Sequence, residues 1–120
     1  MTILAVDNEK LMLERLCRCI KEAVPDAMVV SFKHSTEALS YMETHQVDVV
    51  FMEVLLRKTI GTELAKQMKQ KNPQINIIFT TNYSDYIYEA MSEVRCSGFI
   101  VKPVTTALVR KELENLRNPV

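Results

Sequence analysis

Glycine is scarce in this chain: only Gly61 and Gly98 occur among 120 residues. Loops that cradle a nucleotide pyrophosphate need closely spaced glycines at a helix N-terminus, so two isolated ones exclude that class of site. Net charge is missing too, since 15 Lys and Arg balance 15 Asp and Glu. A neutral chain offers no overall electrostatic footprint for a nucleic acid and no polybasic patch for an anionic bilayer. No apolar run approaches the roughly 18 residues of a membrane span, and no signal-peptide pattern stands at the start. These absences lead to the expectation of a soluble, cytoplasmic protein with no membrane contact. Cysteines are few and odd in number: Cys17, Cys19 and Cys96. Such a set reads as free thiols in a reducing compartment. Cys17 and Cys19, two apart on a helical pattern, diverge rather than converge on a metal. The two histidines, His34 and His45, flank different apolar runs at opposite edges and read as solvated surface groups. That leaves no nucleophile–histidine triad.

What is present is an alternation of short apolar runs with longer amphipathic stretches. The runs Thr2–Val6, Ala27–Phe32, Val47–Glu53, Ile75–Thr81 and Gly98–Lys102 read as strands. Between them, Lys10–Ala23 has apolar residues at helical spacing, and Pro25 breaks it. Ser35 or Thr36 is placed to cap a helix through about Glu43. Thr62–Lys71, Ser84–Val94 and Thr105–Leu116 complete the helical set. Five strands alternating with five helices predict an α/β fold: a doubly wound, five-stranded parallel sheet in a single domain over residues 1–120. The strand runs are apolar throughout, as strands covered on both faces should be. Crossovers are right-handed by default, and ligands bind beyond the carboxyl ends of such strands.

The stretch VVFMEVLL, Val49–Leu56, poses the sharpest question. Glu53 stands at the end of a buried run, where an unpaired charge would be costly. The other strand ends supply its company. The first run ends in Asp7-Asn8-Glu9, the fourth in Thr80-Thr81 and the fifth in Lys102-Pro103. Carboxylates, a hydroxyl and an ammonium at one edge suit a hard cation and a phosphoryl group. A small phosphohydrolase would want a nucleophilic Asp with a second acid two residues on, which Asp7-Asn8-Glu9 fits loosely.

The ordered segments AVDNE, DVVFMEV, GTELAK, IIFTTNY and GFIVKP resemble the receiver domain of bacterial two-component response regulators, across essentially the whole chain. The stretch TTNYSDYIYEAM is most similar to receivers that precede LytTR-type DNA-binding domains. The resemblance implies a flavodoxin-like sheet of order 2-1-3-4-5 and a signalling rather than enzymatic role. It places the phosphoacceptor at Glu53, the switch residues at Thr81 and Phe99, and the phosphate-contacting groups at Lys102 and Thr81. Lys102 is followed by a peptide bond that is usually cis in the family. Metal ligation falls to Asp7, Glu53 and the backbone carbonyl of Leu55.

Two positions depart from that pattern. Asn8 stands where the family has a second acid, which weakens the implied Mg²⁺ site. Glu53 stands where the family has aspartate. Its carboxylate reaches about one methylene further, and a misplacement of about 1 Å can reduce a rate on the order of 100-fold. Two carboxylates about 5 Å apart repel by roughly 3 kcal/mol at an effective dielectric of about 20, so a triply acidic site wants a divalent cation. With Asp7 and Glu53 facing Lys102, that need falls. The expectation is a receiver impaired in Mg²⁺-dependent phosphorylation, with Glu53 pairing with Lys102 or Thr81 in partial imitation of a phosphorylated carboxylate. The alternative is a conventional phosphoacceptor that is phosphorylated and dephosphorylates itself. Expected partners are a sensor histidine kinase or an output module, without direct nucleic-acid contact. A homodimer face is expected on the fourth helix, fifth strand and fifth helix, where Tyr83, Tyr86 and Tyr88 lie close to Phe99. The apolar pair Leu55-Leu56, followed by Arg57-Lys58, marks a second unusual loop.

Overall fold

The computed structural model describes residues 1–56, 60–82, 92 and 94–120. Strand β1 is Thr2–Val6, β2 Met28–Phe32, β3 Val49–Glu53, β4 Asn76–Thr81 and β5 Gly98–Val101. The described helices are α1 (Lys10–Ala23), α2 (Ser35–Thr44), α3 (Gly61–Lys71) and α4 (Thr106–Glu114). Most of the expected helix Ser84–Val94, all but Ser92 and Val94, lies outside the described residues, as do Tyr83, Tyr86, Tyr88 and the Arg57-Lys58 pair. The strands of the sheet pair in parallel, in the order β2-β1-β3-β4-β5. That is the five-stranded arrangement expected.

Side-chain alternation divides the core into two layers, because successive residues of a strand point to opposite faces. Leu4, Val6, Val50, Met52, Ile77 and Phe79 pack on one face with Leu64, Ala65 and Met68 of α3. Ile3, Ala5, Val49, Phe51, Ile78 and Ile100 pack on the other with Leu16 and Ile20 of α1 and Val109 of α4. β3 and β4 are fully buried, whereas β2 is not apolar and covered throughout as expected: Met28 is 61% exposed. The reason is position, since β2 is an edge strand, and β5 at the other edge likewise leaves Val101 47% exposed.

Some boundaries move. Helix α2 begins at Ser35, so the cap position falls on His34, which makes no side-chain capping bond. Thr105 is itself the cap of α4, its Oγ1 accepting from the Leu108 N–H at 3.2 Å. Gly61 is the first residue of α3 and packs against backbone. A Cβ there would lie 2.5 Å from the Glu53 carbonyl oxygen and 3.0 Å from Val54 Cα. This close approach seats α3 directly against the end of β3.

Candidate functional site

Three side chains from β1, β3 and the residue after β5 meet at the carboxyl edge of the sheet. Lys102 Nζ lies 2.7 Å from Asp7 Oδ2 and 2.8 Å from Glu53 Oε1. All three side chains are less than a tenth exposed. Chain register explains the meeting. Val6 pairs with Met52, so Asp7 and Glu53 emerge as neighbours on the face that carries Ile3, Ala5, Val49 and Phe51. Thr81 pairs with Val101, and the Lys102 N–H donates to the Thr81 carbonyl at 2.8 Å, so Lys102 leaves the next strand but one at the same level.

The remaining carboxylate oxygens are engaged by backbone. Asp7 Oδ1 accepts from the Glu9 N–H at 2.9 Å, and Glu53 Oε2 accepts from the Leu55 N–H at 3.3 Å. All four oxygens therefore have donors. Charge-assisted hydrogen bonds of this kind are about twice as strong as neutral ones. Burial pushes the Lys102 ammonium down, but hydrogen bonds and charge from Asp7 and Glu53 outweigh it, so its pKa is raised above the usual lysine value. The site holds a firmly protonated cation between two acids.

The other predicted residues fall around this core. Asn8 is half-buried beside Asp7. Leu55 reaches the site through its N–H to Glu53. Thr81 is fully buried at the end of β4, and strand alternation aligns it with Phe79 and Phe99 on the sheet face opposite Glu53. Phe99 stacks on Phe79 with ring centroids 6.1 Å apart. The Lys102–Pro103 peptide is cis. Two features were missed from sequence. The backbone donors of Glu9 and Leu55 each lie two residues after an acid, the spacing of a local Asp-type turn, which is a readable signal. Thr80, fully buried and in register with Glu53, carries a side-chain oxygen with no hydrogen-bond partner among the described residues; nothing in the sequence separates it from Thr81.

The donor set fits Mg²⁺ poorly. This ion demands near-ideal octahedral oxygen geometry and is usually held by one or two carboxylates with several waters. Here each carboxylate already has one oxygen on the Lys102 ammonium, and position 8 is a neutral amide. Among the described residues no group of three His, Cys, Asp or Glu side chains gathers to hold a metal.

The sequence pattern of the response regulator receiver domain matches residues 3–114. The chain belongs to that family. Its curated relatives include an uncharacterised response regulatory protein of Vibrio cholerae, 28% identical over 117 residues, covering 97% of this chain and 44% of that protein. The positive alginate biosynthesis regulatory protein of Pseudomonas aeruginosa is 26% identical over 120 residues, covering 99% of this chain and 48% of that protein. The receiver thus spans just under half the length of these relatives. Among solved structures, chemotaxis response regulator CheY4 of Vibrio cholerae matches with a TM-score of 0.80 at 22% identity, over 94% of this chain and 95% of that one. That likeness establishes the fold. Receiver domains are signalling modules that act through histidine kinases and output modules, and they commonly bind Mg²⁺ at the acidic site. No described helix is long and apolar enough to cross a membrane.

Proposed function

We propose that this receiver signals through protein contacts from a site already partly in its activated arrangement, with little dependence on phosphorylation. One observation carries the reading: Lys102, which the family resemblance makes a phosphate-contacting group, is bound by Glu53 itself at 2.8 Å. The longer glutamate side chain brings a carboxylate toward the place of a phosphoryl oxygen. A carboxylate has less charge and one fewer oxygen than a phosphoryl group, so the imitation is partial. Asp7 and Glu53 remain the residual metal ligands with the Leu55 carbonyl, and Asn8 keeps Mg²⁺ affinity low. Thr81 and Phe99 serve as the switch pair that reports the state of the site.

The chain acts as one receiver unit over residues 1–120 in the cytoplasm. It governs an output module of the LytTR DNA-binding type, and the receiver itself does not touch nucleic acid. Its face on β5, α4 and the preceding segment is the homodimer surface. Similarity to a positive biosynthesis regulator supports a transcriptional output.

Incubation with acetyl phosphate and Mg²⁺, followed by intact-mass measurement, tests the reading. The expected outcome is no added phosphoryl group on the unmodified chain, and one on the Asn8→Asp, Glu53→Asp double variant. A phosphoryl gain on the unmodified chain would instead establish the conventional phosphoacceptor.

A further inference from the structure

A groove of about 650 Å³ runs between α1 and the edge strand β2. One stripe of α1 forms its wall: Lys10, Leu13, Glu14, Cys17, Arg18 and Lys21 recur at three- and four-residue spacing. Val29, Ser31 and Lys33, alternate residues of β2 and its extension, form the floor. The base is apolar through Leu13, Cys17 and Val29. The rim is cationic. Lys10, Arg18, Lys21 and Lys33 are all exposed, and none joins an ion pair among the described residues. Two acids, Glu14 and Glu22, also line the groove, and Glu22 Oε2 accepts from Thr106 Oγ1 of α4 at 2.7 Å. Glu14 and Glu22 offset two of the four positive charges, so the lining keeps a net positive balance on a molecule whose formal charge is zero.

The backbone adds a second element. No strand lies beside β2 on its outer side among the described residues, so its outer N–H and C=O groups form an open row. Such a row is a template for an added strand, with main-chain bonds giving affinity and alternate side chains giving selectivity. Lengths agree as well. From Lys10 to Lys21 the helix rises about 16 Å, at about 1.5 Å per residue. Five extended residues cover about the same span at roughly 3.3 Å each.

We propose that the α1–β2 groove binds an extended acidic segment of a partner protein, added along the edge of β2. Acids at every second position face the cationic rim of α1, and apolar residues between them face the opposite side of the sheet. The site is separate from the Asp7–Glu53–Lys102 cluster, and its test does not depend on phosphorylation.

The probe is a fluorescein-labelled peptide, GDVEVDG, titrated into the whole chain and followed by anisotropy and by amide shifts. Binding with a dissociation constant below about 1 mM at low salt is expected, which is modest affinity. The shifts should centre on Val29, Ser31, Lys33 and the Lys10–Lys21 stripe. Arg18→Glu or Lys21→Glu should each weaken binding about tenfold, and salt at about 0.2 M should do the same. Lys111→Glu, an equal charge change on α4, should not. The isomeric peptide GVDDEVG, which breaks the alternation, should bind several-fold more weakly. Absence of binding, shifts centred elsewhere, indifference to the α1 reversals, or equal binding of the isomer would each overturn the proposal; the last would reduce the groove to a site for loose anions.

Discussion

Lys102 is the residue on which the site turns, because its single ammonium faces two buried carboxylates. Removing one partner of a buried ion pair is expensive, typically about 3–5 kcal/mol, since an uncompensated charge stays behind. Lys102→Met should therefore lower stability at neutral pH by about that amount, read as a reduced urea midpoint with an unchanged slope. The alkaline limb provides a second reading of the same contact. Lys102 has a folded pKa raised above 10.5. Its stabilisation is fully present below the unfolded value and is lost as pH rises through the folded one. The unmodified chain should lose stability above about pH 10.5, and the Met variant should lack this component. A variant as stable as the parent would mean that the ammonium does not hold the site. At this scale the sequence was informative about which acids and which base meet, because each directly follows or ends an apolar run. It was less informative about geometry: Thr80 and Thr81 are chemically alike, and only strand register separates their faces.

Elements were legible where their patterns were strong. The apolar runs of β1, β3 and β4 and the three- to four-residue spacing of α1 gave the correct order, and strand order followed the resemblance. Ends were less legible. The hydroxyls of Ser35 and Thr36 suit caps, yet the helix already contains both, whereas Thr105, expected within the helix, is a true cap. Propensity marks a hydroxyl's suitability, while tertiary packing chooses the starting residue. Gly61 is another element-scale feature that composition hides. Its role lies in the absent side chain, which lets α3 approach the backbone of Glu53 and Val54. Those neighbours are main chain and cannot rotate aside. Gly61→Ala should therefore destabilise by about 1–3 kcal/mol, as overpacking does, despite alanine's better helix propensity. Amide shifts should move at Val54 and Leu55, and with them the Leu55 N–H donor to Glu53. A neutral or stabilising result would show that α3 can slide away freely.

For the whole molecule, two core layers hold the sheet, and a long-range polar clamp ties the chain after α4 back to the start of β4. Asn76 is 1% exposed and its amide is fully used. Nδ2 donates to the Asn118 carbonyl at 2.8 Å and to the Asp48 carbonyl at 3.4 Å, and Oδ1 accepts from the Asn118 N–H at 2.8 Å. Asn118 in turn reaches the Ile75 carbonyl at 3.4 Å with its own side chain. No local pattern at Asn118-Pro119 reveals a partner 42 positions earlier. The clamp fixes where the chain leaves the domain relative to β4, at the edge opposite the acidic site, so it sets how any following segment is held. Asn76→Leu removes all three bonds and leaves the Asn118 backbone groups to water. The expected loss is about 1–3 kcal/mol, because apolar burial offsets part of the lost bonds. Hydrogen exchange should separate this clamp from ordinary core damage. The amide of Asn118 should lose protection in the variant, while that of Arg117, held by Ser97 Oγ at 3.0 Å, and those of β1 and β3 fall only with global stability. If Asn118 keeps its protection relative to the core, the chain after α4 is held by something other than Asn76.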